Sequence, residues 1–161
     1  TRVLGADRPD TLALRANLAE CLLESEQPER AVEVYEGLIP DERRVLGADH
    51  PDALVTRANH AELLGRLGRA DDAIAEFGRL ADEVGPAMGP AHPFTVAVRG
   101  NMGNLLAQQG RIAESLEVFE AILADIEPEF GSDDPNTVTA RTSVEYLREQ
   151  LRQRGPTSRD L

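Results

Sequence analysis

The sequence predicts an all-α chain, a right-handed α-solenoid of antiparallel helix pairs closed by a terminal capping helix. Three observations carry that prediction. Residues 47–88 realign without a gap when slid 42 positions either way, onto residues 5–46 and onto residues 89–130, and a period of that size marks stacked supersecondary units. Columns recur in register: Gly5, Gly47, Gly89 and Gly131; Pro9, Pro51, Pro93 and Pro135; Arg15, Arg57, Arg99 and Arg141; and Asn17, Asn59 and Asn101, ending in Ser143. Apolar residues fall at helical spacings, and with no Trp and few aromatics the core must be made of Leu, Ala, Val and Ile.

Taken in order, Thr1–Leu4 (TRVL) matches Arg43-Arg44-Val45-Leu46 closely and reads as the last turn of a helix, so the chain is expected to begin mid-repeat. Each unit then opens with a Gly-centred turn. Pro follows at the first helical position, where a missing N–H costs nothing, and Asp10 or Asp52 sits in the first turn, where the helix dipole favours an acid. In the first unit Leu12, Leu14, Leu18, Cys21 and Leu22 form a helical stripe. Ala19, Ala61 and Gly103 place a small residue mid-helix, which lets a second helix approach closely. The first helices should end near residues 24–26, 67–68 and 109–110, with Gly68 and Gly110 as left-handed caps and Glu26-Gln27-Pro28 replacing that signal in the first unit.

The second helices carry Ala31, Val32, Tyr35 and Leu38, then Ala73, Ile74, Phe77 and Leu80, then Ser115, Leu116, Phe119 and Ile122. Pro40 removes one backbone bond, so a kink or break is expected around residues 38–40. After Gly131 a last first-type helix starts at Pro135 with Val138, Val144, Leu147 and Leu151 on one face. Its polar positions Glu145, Arg148, Glu149, Arg152 and Arg154 suit the end of an array. The expected organisation is one repeat domain over residues 1–154 (units 5–46, 47–88 and 89–130, capping helix 131–154) and a disordered tail at 155–161.

Charge narrows the partners. The formal net charge is −12, from 29 acids and 17 bases, all Arg. Such a surface repels phosphate backbones and anionic lipid, which argues against nucleic acid and membrane and favours basic or neutral proteins. One Cys permits no internal disulfide, no apolar run reaches the roughly 20 residues of a membrane helix, and no signal-peptide pattern opens the chain, so a cytoplasmic protein is expected. No P-loop, GxSxG or HExxH occurs, and no enzymatic activity and no cofactor are expected. His50 and His92 lie in successive units, too far apart to share a metal, so no metal site is expected. His60, in the column of Leu18 and Met102, reads as a partly buried core position. Cys21, in the column of Leu63, Leu105 and Leu147, reads as a packed, inert thiol. The four Arg residues read as structural bridges between units, to turn or neighbouring-helix carboxylates.

Paired helices with Ala or Gly in mid helix A, Gly at the turn, and Ala followed four residues later by an aromatic in helix B resemble the tetratricopeptide repeat. That repeat usually has 34 residues. The 42-residue length and the run VLGADHPDALVTRANHAELLGRLGRADDAI look like its kinesin-light-chain type, which recurs in bacterial multidomain signalling proteins. The resemblance implies that the first helices line a concave groove and that the helix A Asn contacts the backbone of a bound peptide. Carried over here, those are Asn17, Asn59 and Asn101, with Glu20, Glu24, Glu62, Arg66, Asn104 and Gln108 beside them. Where the family often has Asn-Asn, this chain has Ala16-Asn17, Ala58-Asn59 and Gly100-Asn101.

An amide both donates and accepts, so stacked Asn residues can grip an extended backbone without reading its sequence. The competing role for each Asn is to tie its own helix to a neighbour. Two functions follow. One is a non-enzymatic protein-interaction scaffold holding a peptide or protein segment in the groove. The other is a segment of a longer array that transmits or restrains a regulatory state, contacting other domains of its own parent and self-associating through its N-terminal end.

Overall fold

The computed structural model describes residues 8–154. Among them are seven α-helices and no strand: α1 (Pro9–Glu24), α2 (Pro28–Val45), α3 (Pro51–Arg66), α4 (Ala70–Met88), α5 (Pro93–Gln108), α6 (Ile112–Phe130) and α7 (Pro135–Arg154). The helical turn expected at Thr1–Leu4, the turn at Gly5 and the tail at 155–161 lie outside the described residues. No described helix is long and apolar enough to cross a membrane.

The proline column sets the helix starts: Pro9, Pro51, Pro93 and Pro135 are the first residues of α1, α3, α5 and α7. The residue before each proline is a capping column. His50 and His92 accept the backbone N–H of Asp52 and Phe94 on Nδ1, each at 3.2 Å. Asp134 Oδ1 accepts from Asn136 N at 2.8 Å and from Thr137 N at 3.3 Å. The histidines that sequence reading weighed as metal ligands thus do the work of an N-cap side chain. Arg8, in the same column, makes no side-chain cap.

The helix ends are equally regular. The N–H of Gln27, Arg69 and Arg111 reaches back to the carbonyl of Leu22, Leu64 and Leu106, each at 2.9 Å, the long bond of a Schellman cap. The preceding residue must be left-handed. Gly68 and Gly110 do this with φ of 80° and 76°, but in the first unit the position is Glu26, at φ 55°. A side chain in that region costs about 1–2 kcal/mol, partly offset by glycine's greater freedom in the unfolded chain. Glu26→Gly is therefore expected to stabilise the protein by about 0.5–1 kcal/mol in urea unfolding. An unchanged or lower midpoint would show that Glu26 holds this turn without strain.

The break expected at Pro40 does not occur. α2 runs through it, as α4 runs through Pro86 and α6 through Pro128. Each proline removes one ladder bond near the end of a long helix, and the buried face preceding it supplies enough packing to carry the helix past the gap.

Two compact units divide the chain, Thr1–Glu76 and Phe77–Leu161. In the first, α1 packs on α2 and α2 on α3. Its core includes Leu12, Ala19, Leu22, Ala31, Tyr35, Leu38, Leu54 and Ala61. The predicted α1 stripe is only half correct: Leu12 and Leu22 are buried, whereas Leu14 is 60% exposed, Leu18 49% exposed and Cys21 exposed. Cys21 is thus not packed. The equivalent columns of α3, Thr56, His60 and Leu63, are covered by α2, and among the described residues no helix precedes α1 to cover its copy of that face.

In the second unit α6 packs between α5 and α7. Ile112, Phe119, Ile122 and Ile126 of α6 share a core with Ala140, Val144 and Leu147 of α7. Val138, expected on that face, is exposed, and Thr137 and Ala140 point inward instead. At 3.6 residues per turn the inward row from Val144 and Leu147 runs back through Ala140 and Thr137, leaving Val138 off it. The polar positions Glu145, Arg148, Glu149, Arg152 and Arg154 are all exposed.

Candidate binding site

The arginine column is fully engaged. Arg15 pairs with Asp41 at 2.6 Å, Arg57 with Glu76 at 2.8 Å, Arg99 with Asp125 at 2.6 Å and Arg141 with Glu127 at 2.6 Å. The first three pairs join the two helices of one repeat, a correction to the bridges expected between units. Arg141 reaches back to the preceding repeat. The second helix returns antiparallel to the first, which brings its own carboxylates alongside the Arg. Asp41 is held below its ordinary pKa by the hydrogen bonds from Arg15 and Arg44. These guanidinium groups are tied up in holding helix pairs together.

In the first unit the polar residues gather around Tyr35 of α2. The phenol is almost fully buried, with the Asn59 side chain of α3 close enough to lower its pKa. Burial raises its pKa, the charge of Glu20 on α1 raises it further, the nearby Asn59 side chain opposes, and Glu62 on α3 adds to the rise. The hydroxyl is therefore neutral and able to donate. Beside it lies a pocket of about 240 Å³ whose walls come from α1, α2 and α3. Asn17, Glu20 and Asn59 line it, with Tyr35, Glu42, Asp52 and Thr56.

The nine residues singled out from the sequence fall as follows. Asn17, Glu20 and Glu24 are exposed on α1; Asn59 is half-buried and Glu62 and Arg66 exposed on α3; Asn101, Asn104 and Gln108 are exposed on α5. The first unit brings Asn17, Glu20, Asn59 and Glu62 towards Tyr35. Glu24 and Arg66 lie at the far ends of their helices, outside the pocket lining, and Asn101, Asn104 and Gln108 belong to the second unit. Asn59 of α3 stands beside Tyr35 of α2. Sequence reading did not single out Tyr35, Glu42 or Thr56 as site residues. A signal existed for Glu42: its column continues as Val84 and Ile126, so a carboxylate stands where the other repeats bury an aliphatic side chain.

Two buried titratable groups give the first unit opposite responses to pH. His60 is edge-on to Tyr35, with ring centroids 6.2 Å apart, and its Nε2 is buried without a hydrogen bond. Burial lowers its pKa, against the pull of Glu36 and Glu76. The folded state thus prefers neutral His60, and this contribution is complete above the unfolded-state value and lost as pH falls below about 6.5. Glu42 is the reverse: burial raises its pKa, the Thr56 bond opposes, and stability from this group falls as pH rises through the folded value. His60→Leu, the residue its column carries at Leu18, is expected to lose less melting temperature than the parent between about pH 7 and pH 5. Equal losses in the two proteins would contradict the assignment.

With this geometry in place, comparison with known proteins is decisive for the family. Residues 11–52 and residues 58–134 each match a tetratricopeptide repeat profile. The chain belongs to the tetratricopeptide repeat family. Solved structures with the same fold include a putative kinesin light chain from Podosopora anserina with nearly identical TPR-like repeats. It is 20% identical, with a TM-score of 0.84 over 95% of this chain and 72% of that one, and a single-substitution variant of it matches equally. A further match is BtubC (BKLC) from P. vanneervenii, 15% identical, TM-score 0.76, covering 92% of this chain and 59% of that one. No curated protein sequence matches. The fold is thus an all-α tetratricopeptide solenoid with repeats of kinesin-light-chain type. Tetratricopeptide repeats in general mediate protein–protein interaction, and their scaffold is typically non-catalytic.

Proposed function

We propose that this tetratricopeptide array is a non-enzymatic scaffold that holds a basic or neutral peptide or protein segment against its first helices. The observation that carries this reading is the gathering of Asn17, Glu20 and Asn59 around one pocket beside Tyr35. Here amide and carboxylate acceptors face solvent, while the competing cations of the Arg column are tied to carboxylates elsewhere. Asn17 adds an exposed amide beside Asn59, available to a ligand backbone. The net charge of −12 favours ligands carrying Arg or Lys, with affinity that falls as salt rises.

A random peptide library displayed at low salt and selected on the chain tests this. Enrichment of Lys- and Arg-containing peptides is expected. Their affinity should fall at least about tenfold in an Asn17→Ala/Glu20→Ala variant, and should weaken between about 50 and 500 mM salt. No enrichment, or peptides that bind the variant equally well, would overturn the reading.

A second reading is favoured by one specific observation. Leu14 and Leu18 are exposed on α1 in columns that on α3 pack against α2. In a longer array a helix of an adjacent repeat would cover them, the piece would serve to transmit or restrain a regulatory state, and the isolated chain would self-associate there. Sedimentation of the parent against Leu14→Glu/Leu18→Glu separates the two. Association confined to the parent supports the second reading, and two monomers of equal mass remove it.

A further inference from the structure

A single buried carboxylate distinguishes the first-unit pocket from its counterpart in the second unit. The counterpart, of about 250 Å³, is lined by Pro93, Val96, Ala97, Ile126, Phe130 and Asn136. These are the residues two repeat lengths beyond Pro9, Leu12, Ala13, Glu42, Leu46 and Asp52, all of which line the first. The same architecture therefore occurs in two chemistries. Where the second pocket has Ile126, the first has Glu42; where it has Asn136, the first has Asp52. The second pocket also has an acid on its lining, Asp134, but that carboxylate caps α7.

Glu42 is 2% exposed. One carboxyl oxygen, Oε1, accepts from Thr56 Oγ1 at 3.2 Å, and the other, Oε2, is buried with no hydrogen-bond partner. Thr56 is itself the polar member of a column that continues as Val98 and Ala140, both buried. Two adjoining core columns have thus become polar together where α2 meets α3, whereas the equivalent positions Val84 with Val98 and Ile126 with Ala140 are all apolar. An unpaired buried carboxylate destabilises a fold, and an aliphatic side chain at this position packs well in the other two repeats. The arrangement is explained if a cation from outside completes it. No base lines the pocket, and Arg15 on α1, whose charge acts on Glu42, is bound to Asp41.

We propose that the pocket formed by α1, α2 and α3 is a receptor for one cationic side chain, lysine or arginine, of the bound segment, with Glu42 as its counter-ion. This deepens the scaffold reading and rests on it. The aliphatic stem would lie against Leu12, Leu46 and Val55, all on the lining, and the charged head would meet Glu42 Oε2, with Glu20 and Asp52 adding to the attraction. Burial disfavours ionisation of the empty site, Asp52 on α3 disfavours it further, and Arg15 on α1 and His50 before α3 favour it. Binding a cation therefore expels a proton from Glu42 over the range where the empty site is still protonated. Affinity rises with pH and levels off once Glu42 is ionised without ligand.

The test uses the 161-residue chain and three probes: the N-acetyl methylamides of lysine, arginine and norleucine, titrated by NMR with the Asn59 side-chain amide and the Glu42 carboxyl carbon as reporters. At neutral pH the better cationic probe is expected to bind at least tenfold tighter than norleucine, and whichever of lysine and arginine is tighter names the side chain. That preference should vanish in Glu42→Val and in Glu42→Gln. Glu42→Val restores the residue type of Val84 and is expected to raise Tm, so lost binding cannot be lost folding. Glu42→Gln keeps the shape if the valine repacks the pocket. Equal binding of norleucine, or an intact cationic preference in both variants, would overturn the proposal. Library-selected peptides that bind Glu42→Val as tightly as the parent yet lose affinity in Asn17→Ala/Glu20→Ala would overturn it while leaving the scaffold reading in place.

Discussion

Gly103→Val is expected to lower stability by about 3 kcal/mol, a large fraction of the total for a domain of this size. Gly103 is buried in α5 in the small-residue column of Ala19 and Ala61. A Cβ there would sit 2.7 Å from Cε2 of Phe119 on α6, closer than side-chain carbons approach. The backbone cannot retreat easily, because the Gly103 carbonyl accepts the Ser115 hydroxyl at 2.7 Å. Valine adds two further methyl groups to a space that rejects the first. Gly100, one turn earlier on the same helix, is the control: an added Cβ meets nothing within 4 Å. Gly100→Ala should therefore gain about 0.5–1 kcal/mol from helix propensity alone. Urea unfolding of the two variants would show opposite shifts. A mild loss in Gly103→Val would mean that the α5–α6 approach is looser than the geometry states.

Arg57→Ala is the second large effect. Of the four Arg pairs, Arg57 with Glu76 is the least exposed, at 13% and 16% of the two side chains, against 36% and 43% for Arg141 with Glu127. Removing one partner of a buried pair costs about 3–5 kcal/mol and of an exposed pair about 0–1. The intermediate burial here places Arg57→Ala near 2 kcal/mol and Arg141→Ala below about 1 kcal/mol. A double-mutant cycle with Glu76→Ala should return most of that loss as coupling. Additive losses would assign the effect to the packed Arg stem rather than to the ion pair.

Much of the fold was legible because the repeat prints the same physical instructions several times. Pro at the first helical position fixes each first-helix start, and Gly68 and Gly110 fix two of the ends. Glu26 shows that the turn geometry is imposed by the array even where the residue that suits it is missing. Exposure was less legible. Leu14, Leu18 and Cys21 carry the apolar pattern of a covered face, but the pattern records what a column packs against in other repeats and not whether a neighbour is present here. Val138 failed for a different reason, since it stands one residue from Thr137, about 100° round the helix from the inward row that Thr137 and Ala140 occupy.

The candidate site was legible only in part. The Asn column could be read from the period alone, but its contacts could not. That Asn59 comes to lie beside Tyr35 depends on how α3 lies against α2. Glu42 was hidden among twenty-nine acids, most of them on solvated faces. Only the comparison with Val84 and Ile126 exposes it as a charge in a core column, and only the structure shows Oε2 buried without a partner.

The most direct test of the scaffold account is NMR mapping of the chain with one library-selected peptide. The account predicts the largest backbone shifts at Asn17, Glu20 and Asn59 and their neighbours on α1 and α3, with the second-helix surface at Glu29, Glu33 and Arg43 unmoved. Shifts centred on that second-helix surface, with α1 and α3 unperturbed, would contradict it.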